Sequence, residues 1–416
     1  MKRMLRLAWV IPVWFIVGCG DLDKPVNEVV KGGEVVVDLS GDVIKSGLIA
    51  AAVAGIDATT TVYGYKGYKI PYTTTDEEGN SVEVSGLMVV PTGLPSEVVA
   101  GLGLSMVSDS HGTIFADTEA PTAIAKHTNG ADGSPIVFTS LGGFVTLQAD
   151  YIGFGDSSDH HHPFMLKKSL VNTTVDFIKA AQVFALNNDI NLNGQLFLTG
   201  YSEGGYTALA TLERIEMEGS MDVTMAAPMA GPYDVNRTAF GIFTQATLSV
   251  PSFLANVGYS YALAYDEELA SVINEPYASK LETLFDGSYT RVAIDAELTT
   301  VTTGEDGLFN PVFINQFFTN PNHWFRQAVL ENNVHTWGPQ TTVKLVHCEG
   351  DDVIPFGIAQ IAEATMNAYG AADVSIVPVE ATLGLSDPLG HAECAAMAYN
   401  ITTKIFAQTR AATIGY

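Results

Sequence analysis

One short stretch constrains this chain more than any other. Residues 195–199 form an apolar run, Gly200-Tyr201-Ser202-Glu203-Gly204-Gly205 follows, and residues 203–217 are rich in Ala and Leu with helical character. A buried strand that turns at once into a helix, with a serine at the turn, places that serine on a sharp bend. Gly200 and Gly204, two positions before and after it, remove side chains that would collide there. The helix starting at Glu203 aims the positive end of its dipole at the serine, where negative charge would develop. Ser202 therefore reads as a nucleophile, and the strand–turn–helix unit belongs to a mostly parallel sheet with helices on both faces.

The rest of the chain fits such a sheet. Apolar runs at 98–107, 143–152, 223–229, 343–347 and 374–379 read as strands buried on both faces. Residues 81–90 read as a further strand ending at the turn Pro91-Thr92-Gly93. Helical spacing fills 169–186, 203–217, 356–369 and 392–406 between them. Residues 236–338 break the alternation. They are too long for a loop and rich in aromatics such as Phe243, Phe253, Phe317 and Phe325. They read as an inserted helical cap, not a second domain, because strand and helix signals resume afterwards. The core is then 61–235 with 339–416, and 20–60 reads as a tether and lead-in.

A serine nucleophile needs a base, and the base needs an orienting acid. When the serine follows a buried strand in this way, the partners come in the order Ser, Asp or Glu, His. The run 343–347 leads into Cys348-Glu349-Gly350-Asp351-Asp352, which puts a carboxylate at the carboxyl edge of the sheet beside Ser202. Asp351 is the expected acid, with Asp352 as competitor. His391, forty residues on and just before the last helix, is the expected base. The oxyanion hole draws one N–H from Glu203 and one from the loop after residue 107, where Asp109-Ser110-His111-Gly112-Thr113 offers Gly112 or Thr113. Each donor is typically worth about 2.7–4 kcal/mol in the transition state. His111 itself reads as structural. Asp159-His160-His161-His162 has a metal-like look, but adjacent histidines on a loop do not converge on one ion, and it reads as a surface or substrate-rim loop. The chemistry implied needs no metal and no organic cofactor.

Composition limits the partners. With 20 Lys and Arg against 46 Asp and Glu, the net charge is −26, which excludes nucleic acid and disfavours anionic substrates. The amino terminus carries a basic segment, an apolar run over 7–17 and then Ile16-Val17-Gly18-Cys19. This reads as a lipoprotein signal peptide with Cys19 as the lipidated residue. The expected location is a bacterial membrane surface, the outer membrane by the Gly20 that follows Cys19, held there by the lipid anchor only. An ordinary signal peptide would make the protein periplasmic or secreted.

The landmarks Ser110-His111-Gly112-Thr113, Asp150-Tyr151-Ile152-Gly153-Phe154-Gly155, His162-Pro163-Phe164, Gly200 to Gly205, Gly231-Pro232-Tyr233-Asp234, the Asp351 loop and His391 together resemble a known group. These are the secreted bacterial esterases and lipases of the α/β-hydrolase superfamily, related to the fungal secretory-lipase type. The resemblance covers most of 80–408. It implies an α/β-hydrolase fold with a helical cap, and hydrolysis of small-molecule or lipid esters through an acyl-serine. Cys348 departs from the group, standing where a glycine usually follows the histidine. If the acid and histidine loops meet as the group implies, Cys348 and Cys394 either form a disulfide or remain two buried thiols, and a bridge needs Cα atoms within about 7 Å. Two other readings stay open: a prolyl-oligopeptidase-type peptidase, against which the lack of a propeller before residue 80 argues, and an inactive hydrolase-fold binding protein.

Overall fold

The apolar runs become neighbouring strands of one sheet. A computed structural model describes residues 32–53, 55–127 and 133–415. Cys19 and the proposed signal peptide lie outside the described residues. Among the described residues there are nine strands: β1 (Glu34–Leu39), β2 (Gly64–Thr75), β3 (Ser81–Thr92), β4 (Leu104–Ser110), β5 (Val145–Ala149), β6 (Leu192–Tyr201), β7 (Met225–Met229), β8 (Val343–His347) and β9 (Val374–Pro378). Their order is β1-β2-β3-β5-β4-β6-β7-β8-β9. From β5 to β9 every pairing is parallel, so the carboxyl ends of β4, β6 and β8 open on one edge. The pairs β1–β2, β2–β3 and β3–β5 are antiparallel.

Helices α1 (Gly41–Ala50), α2 (Pro121–His127), α3 (Lys167–Asn187) and α4 (Glu203–Glu218) lie before β7. Seven more run between β7 and β8: α5 (Val235–Phe243), α6 (Pro251–Ala264), α7 (Leu269–Val272), α8 (Leu281–Leu284), α9 (Arg291–Glu297), α10 (Pro311–Thr319) and α11 (Trp324–Glu331). The last three are α12 (Gly357–Ala368), α13 (Val379–Leu383) and α14 (His391–Ile414). The segment between β7 and β8 is thus helical. Phe243, Phe309, Phe313, Phe317 and Phe325 interlock as its own aromatic core.

Both sheet faces are covered, which is why the strands read as continuous apolar runs. Leu196 and Leu198 of β6 pack with Ile178, Phe184 and Leu209 of α3 and α4. Phe197 points to the other face, where Ala398, Ile401 and Phe406 of α14 close the core, with the Phe197 and Phe406 rings 4.7 Å apart.

Two local differences from the sequence reading have physical causes. The run 98–107 is not one strand. Residues Glu97–Leu102 coil, Gly103 turns at φ 75°, and only from Leu104 does the chain extend. The lead-in also holds ordered structure, since β1 pairs with β2 and α1 packs beside it. As an edge strand with Val37 its only buried residue, β1 carries only the short run Val35-Val36-Val37 between Glu34 and Asp38.

Asp109, near the end of β4, ties α14 to the strands on its face of the sheet and is only 1% exposed. The Tyr399 hydroxyl of α14 donates to it at 3.0 Å and the Gln148 amide at 3.1 Å. Burial pushes its carboxyl up to about 7, against these hydrogen bonds and one from Ser134. A carboxyl with a raised folded pKa contributes stability that is full below its unfolded value, about 3.9, and is lost as pH rises through about 7. Urea midpoints across pH 4–8 should therefore fall more steeply with rising pH for the native protein than for Asp109→Asn. Parallel curves would show that burial does not hold this proton.

Candidate active site

Ser202 sits between β6 and α4 with φ 60° and ψ −120°. That conformation costs a non-glycine residue on the order of 1–3 kcal/mol, and the surroundings enforce it. The Ser202 N–H donates to Met229 O of β7 at 2.9 Å. A Cβ at Gly204 would lie 1.8 Å from Ser110 O, and one at Gly200 would lie 2.4 Å from both Ser110 O and Gly204 O. Any side chain at either position would push the serine turn off the end of β4.

The same contact brings the second loop to the serine. A Cβ at Gly112 would be 3.1 Å from Tyr201 O and 3.9 Å from Ser202 Cβ, so the 110–113 loop packs directly on the turn. Thr113, Ser202 and Glu203 line one cavity together. Glu203 opens α4, where first-turn N–H groups have no partner within the helix. The loop is braced from behind: His111 Nδ1 is 2.8 Å from Gly112 O and its Nε2 is 3.3 Å from Asp150 O.

The candidate acid and base come from the loop after β8 and the start of α14. Asp351 Oδ2 lies 2.7 Å from His391 Nδ1. Its Oδ1 accepts from the backbone N–H groups of Val353 and Ile354 at 3.0 and 2.8 Å. Burial by itself would raise the Asp351 carboxyl. Hydrogen bonds from His347 and His391 and from Ile354 outweigh it and hold the group well below the usual carboxylate range. It is thus an anion facing Nδ1, which leaves Nε2 as the imidazole's other working nitrogen. Asp352 does something else: its Oδ1 accepts the His391 backbone N–H at 2.8 Å at the start of α14. His347 is fully buried, with Nε2 2.8 Å from Ile354 O and 3.4 Å from Asp351 Oδ2.

Cys348 and Cys394 form a disulfide with Cα atoms 6.0 Å apart, joining the acid loop to the first turn of α14. Glu380, at the start of α13, adds a second tie that the sequence did not reveal. Its carboxylate accepts from Glu349 N, Gly350 N and Leu389 N at 2.8, 3.0 and 3.0 Å. Nothing local marks this residue, since the loops it joins meet only in the fold. The Tyr201 hydroxyl donates to His391 O at 2.6 Å, linking the serine turn to the histidine.

The three loop histidines diverge. His160 is exposed beside Asp159, and His161 Nε2 meets Ser260 Oγ of α6 at 2.9 Å. His162, read from sequence as part of a surface or rim loop, is instead buried against Glu203. Among the described residues no group of His, Cys, Asp and Glu is arranged to hold a metal ion.

The cavity at Ser202 runs up beneath α5 and α6. Its walls are mostly apolar, from Val235, Ile242, Phe243 and Phe253 of those helices to Val353 and Ile354 beside Asp351.

The prolyl oligopeptidase family model matches residues 132–264, about a third of the chain. No curated protein matches. Among solved structures, a candidate hydrolase from Legionella pneumophila is 23% identical with a TM-score of 0.79, over 91% of this chain and 97% of that one. The rice cell wall degrading esterase LipA from Xanthomonas oryzae is 23% identical with a TM-score of 0.75, over 92% and 97%. Candida antarctica lipase A is 14% identical with a TM-score of 0.58, over 86% and 77%.

The disulfide closes a loop at sequence separation 46, which in the chain-entropy account stabilises by about 4 kcal/mol. The Cys348→Ala/Cys394→Ala protein should lose stability on that scale in urea unfolding. A loss below about 1 kcal/mol would mean that Glu380 and Asp352 hold the loops without it. In sheet order, serine turn and helical insertion, the chain is an α/β-hydrolase by fold.

Proposed function

We propose that the chain is a carboxylic ester hydrolase that works through an acyl-serine. The observation that carries this reading is the Asp351–His391 pair, its carboxylate buried, on the sheet edge that also presents Ser202 at the foot of an apolar cavity. His391 takes the Ser202 proton as the hydroxyl attacks the ester carbonyl. Asp351 fixes the imidazole with its proton on Nδ1 and stabilises the charged ring. Backbone N–H groups of Glu203 and of Gly112 or Thr113 hold the oxyanion. His391 returns the proton to the departing alkoxide, and water then cleaves the acyl-serine by the same path. No step calls on a metal or an organic cofactor.

The cavity argues for an acyl chain. Its volume is about 130 Å³. Lined by Phe243, Phe253, Leu254, Phe309 and Val329, it suits a medium-length aliphatic acyl group. The rice cell wall degrading esterase and the lipase share the fold and agree with ester chemistry. The prolyl oligopeptidase match favours a second reading, peptide cleavage by the same residues. Export and lipid attachment at Cys19 remain part of the proposal and rest on residues 1–19 alone.

A panel of p-nitrophenyl esters from acetyl to palmitoyl tests the reading beside prolyl and other peptide amides. The expected kcat/KM maximum lies at hexanoyl to decanoyl. Ser202→Ala should lower kcat by on the order of 10⁶, and Asp351→Asn by on the order of 10⁴. Hydrolysis of peptide amides with no ester activity would replace the reading with the peptidase.

A further inference from the structure

Glu203 sets up an electrostatic conflict. Its backbone N–H is one of the groups proposed to stabilise an oxyanion, yet it carries a carboxyl of its own, and the residue is only 2% exposed. A buried carboxylate on the residue that offers an oxyanion donor opposes the charge that would develop there. At an effective dielectric near 20 the penalty is on the order of a hundredfold in rate. The chain must therefore neutralise this group.

The geometry of His162 supplies the means. His162 Nε2 lies 3.0 Å from Glu203 Oε1, and its Nδ1 lies 2.9 Å from Ile152 O. A carbonyl oxygen only accepts, so Nδ1 carries a hydrogen. Two states satisfy the other contact. A neutral imidazole accepts at Nε2 from a protonated Glu203, or an imidazolium donates from Nε2 to a carboxylate. Both place one proton between the two side chains and leave the pair with no net charge. Glu203 Oε2 has no hydrogen-bond partner among the described residues, so no second donor shares this duty. The ring is held for it: His162 is 6% exposed, stacked on Tyr151 at 5.9 Å and packed on Phe154 at 5.0 Å.

We infer that His162 is a positioning residue that cancels the Glu203 charge behind the oxyanion hole and fixes the turn bearing that N–H. The inference rests on the acyl-serine reading above. It makes a demand that a merely structural contact does not. Removing the histidine strips the Glu203 carboxyl of its hydrogen-bond partner behind the oxyanion hole, and replacing that carboxyl with an amide as well repairs the damage.

The test is a double-mutant cycle on the full chain. His162→Asn keeps a donor for Ile152 O but loses the shared proton. It should lower kcat about a hundredfold on p-nitrophenyl hexanoate, with KM changed less than threefold. Adding Glu203→Gln to it should recover at least tenfold of that loss. A His162→Asn kcat within threefold of the native value overturns the inference, as does a double variant no faster than His162→Asn. The rate of Ser202 labelling by a fluorophosphonate reads the same cycle without any ester, so a native protein that labels but cleaves no ester fails the ester reading alone. If His162→Asn does not fold, nitrogen-15 NMR of the histidines in Ser202→Ala protein decides. Nδ1 of His162 protonated supports the inference, and Nδ1 bare overturns it.

Discussion

Ser202 holds a backbone conformation that a serine would not choose, and the surrounding sheet is arranged so that it has no alternative. Its N–H is taken by Met229 O of β7, and the absent side chains of Gly200 and Gly204 let the turn rest against Ser110 O at the end of β4. The serine is thereby wedged between its two parallel neighbours. The consequence is chemical as well as steric. The strand that buttresses the turn is also the strand that delivers the 110–113 loop. Strand order alone therefore brings both proposed oxyanion donors to one place. In a sheet with β4 and β6 apart, the same G-x-S-x-G sequence would have no second donor.

The acid and the base depend on a different principle, which is redundancy. Asp351 and His391 lie on loops forty residues apart, and their hydrogen bond is one of four ties between those loops. The disulfide joins residues three positions from each. Asp352 holds the His391 backbone, and Glu380 gathers amides from both loops. A single hydrogen bond would leave the imidazole free to wander by more than catalysis tolerates. Several ties of different chemistry fix the backbone first and leave the Asp351–His391 contact only the last orientation to set.

What the sequence disclosed and what it withheld divide along these lines. The placement of Ser202, Asp351 and His391 at one edge of the sheet was legible because buried parallel strands are written as apolar runs and these residues lie beyond their ends. Asp351 against Asp352 was not decidable, because neighbours on a loop can both face the histidine. Here one meets its ring and the other its backbone. Glu380 and His162 were hidden for a deeper reason. Each is a polar side chain whose partner is remote in sequence, and its type and spacing carry no trace of the contact. His162 was misread because three adjacent histidines suggest a common fate. The backbone turns each ring a different way, to solvent, to the cap and to the serine turn. In β1 the strand was not legible because an edge position leaves only a three-residue apolar run set between Glu34 and Asp38.

The net charge of −26 makes the site's arrangement intelligible. A cluster of Lys or Arg beside Ser202 could stabilise an oxyanion, but the described residues bring none there. Among the described residues, no Lys or Arg lines the cavity. Stabilisation must then come from fixed dipoles, namely N–H groups and the amino end of α4. Dipoles act at short range, so one bare carboxylate at Glu203 would cancel much of what they supply, whereas distant surface charges are screened within a Debye length of about 8 Å in physiological salt. Local neutrality under a strongly acidic exterior is therefore the condition the site must meet. The exterior then acts after the chemistry, because a cleaved ester leaves a carboxylate, and a field of like sign favours its departure.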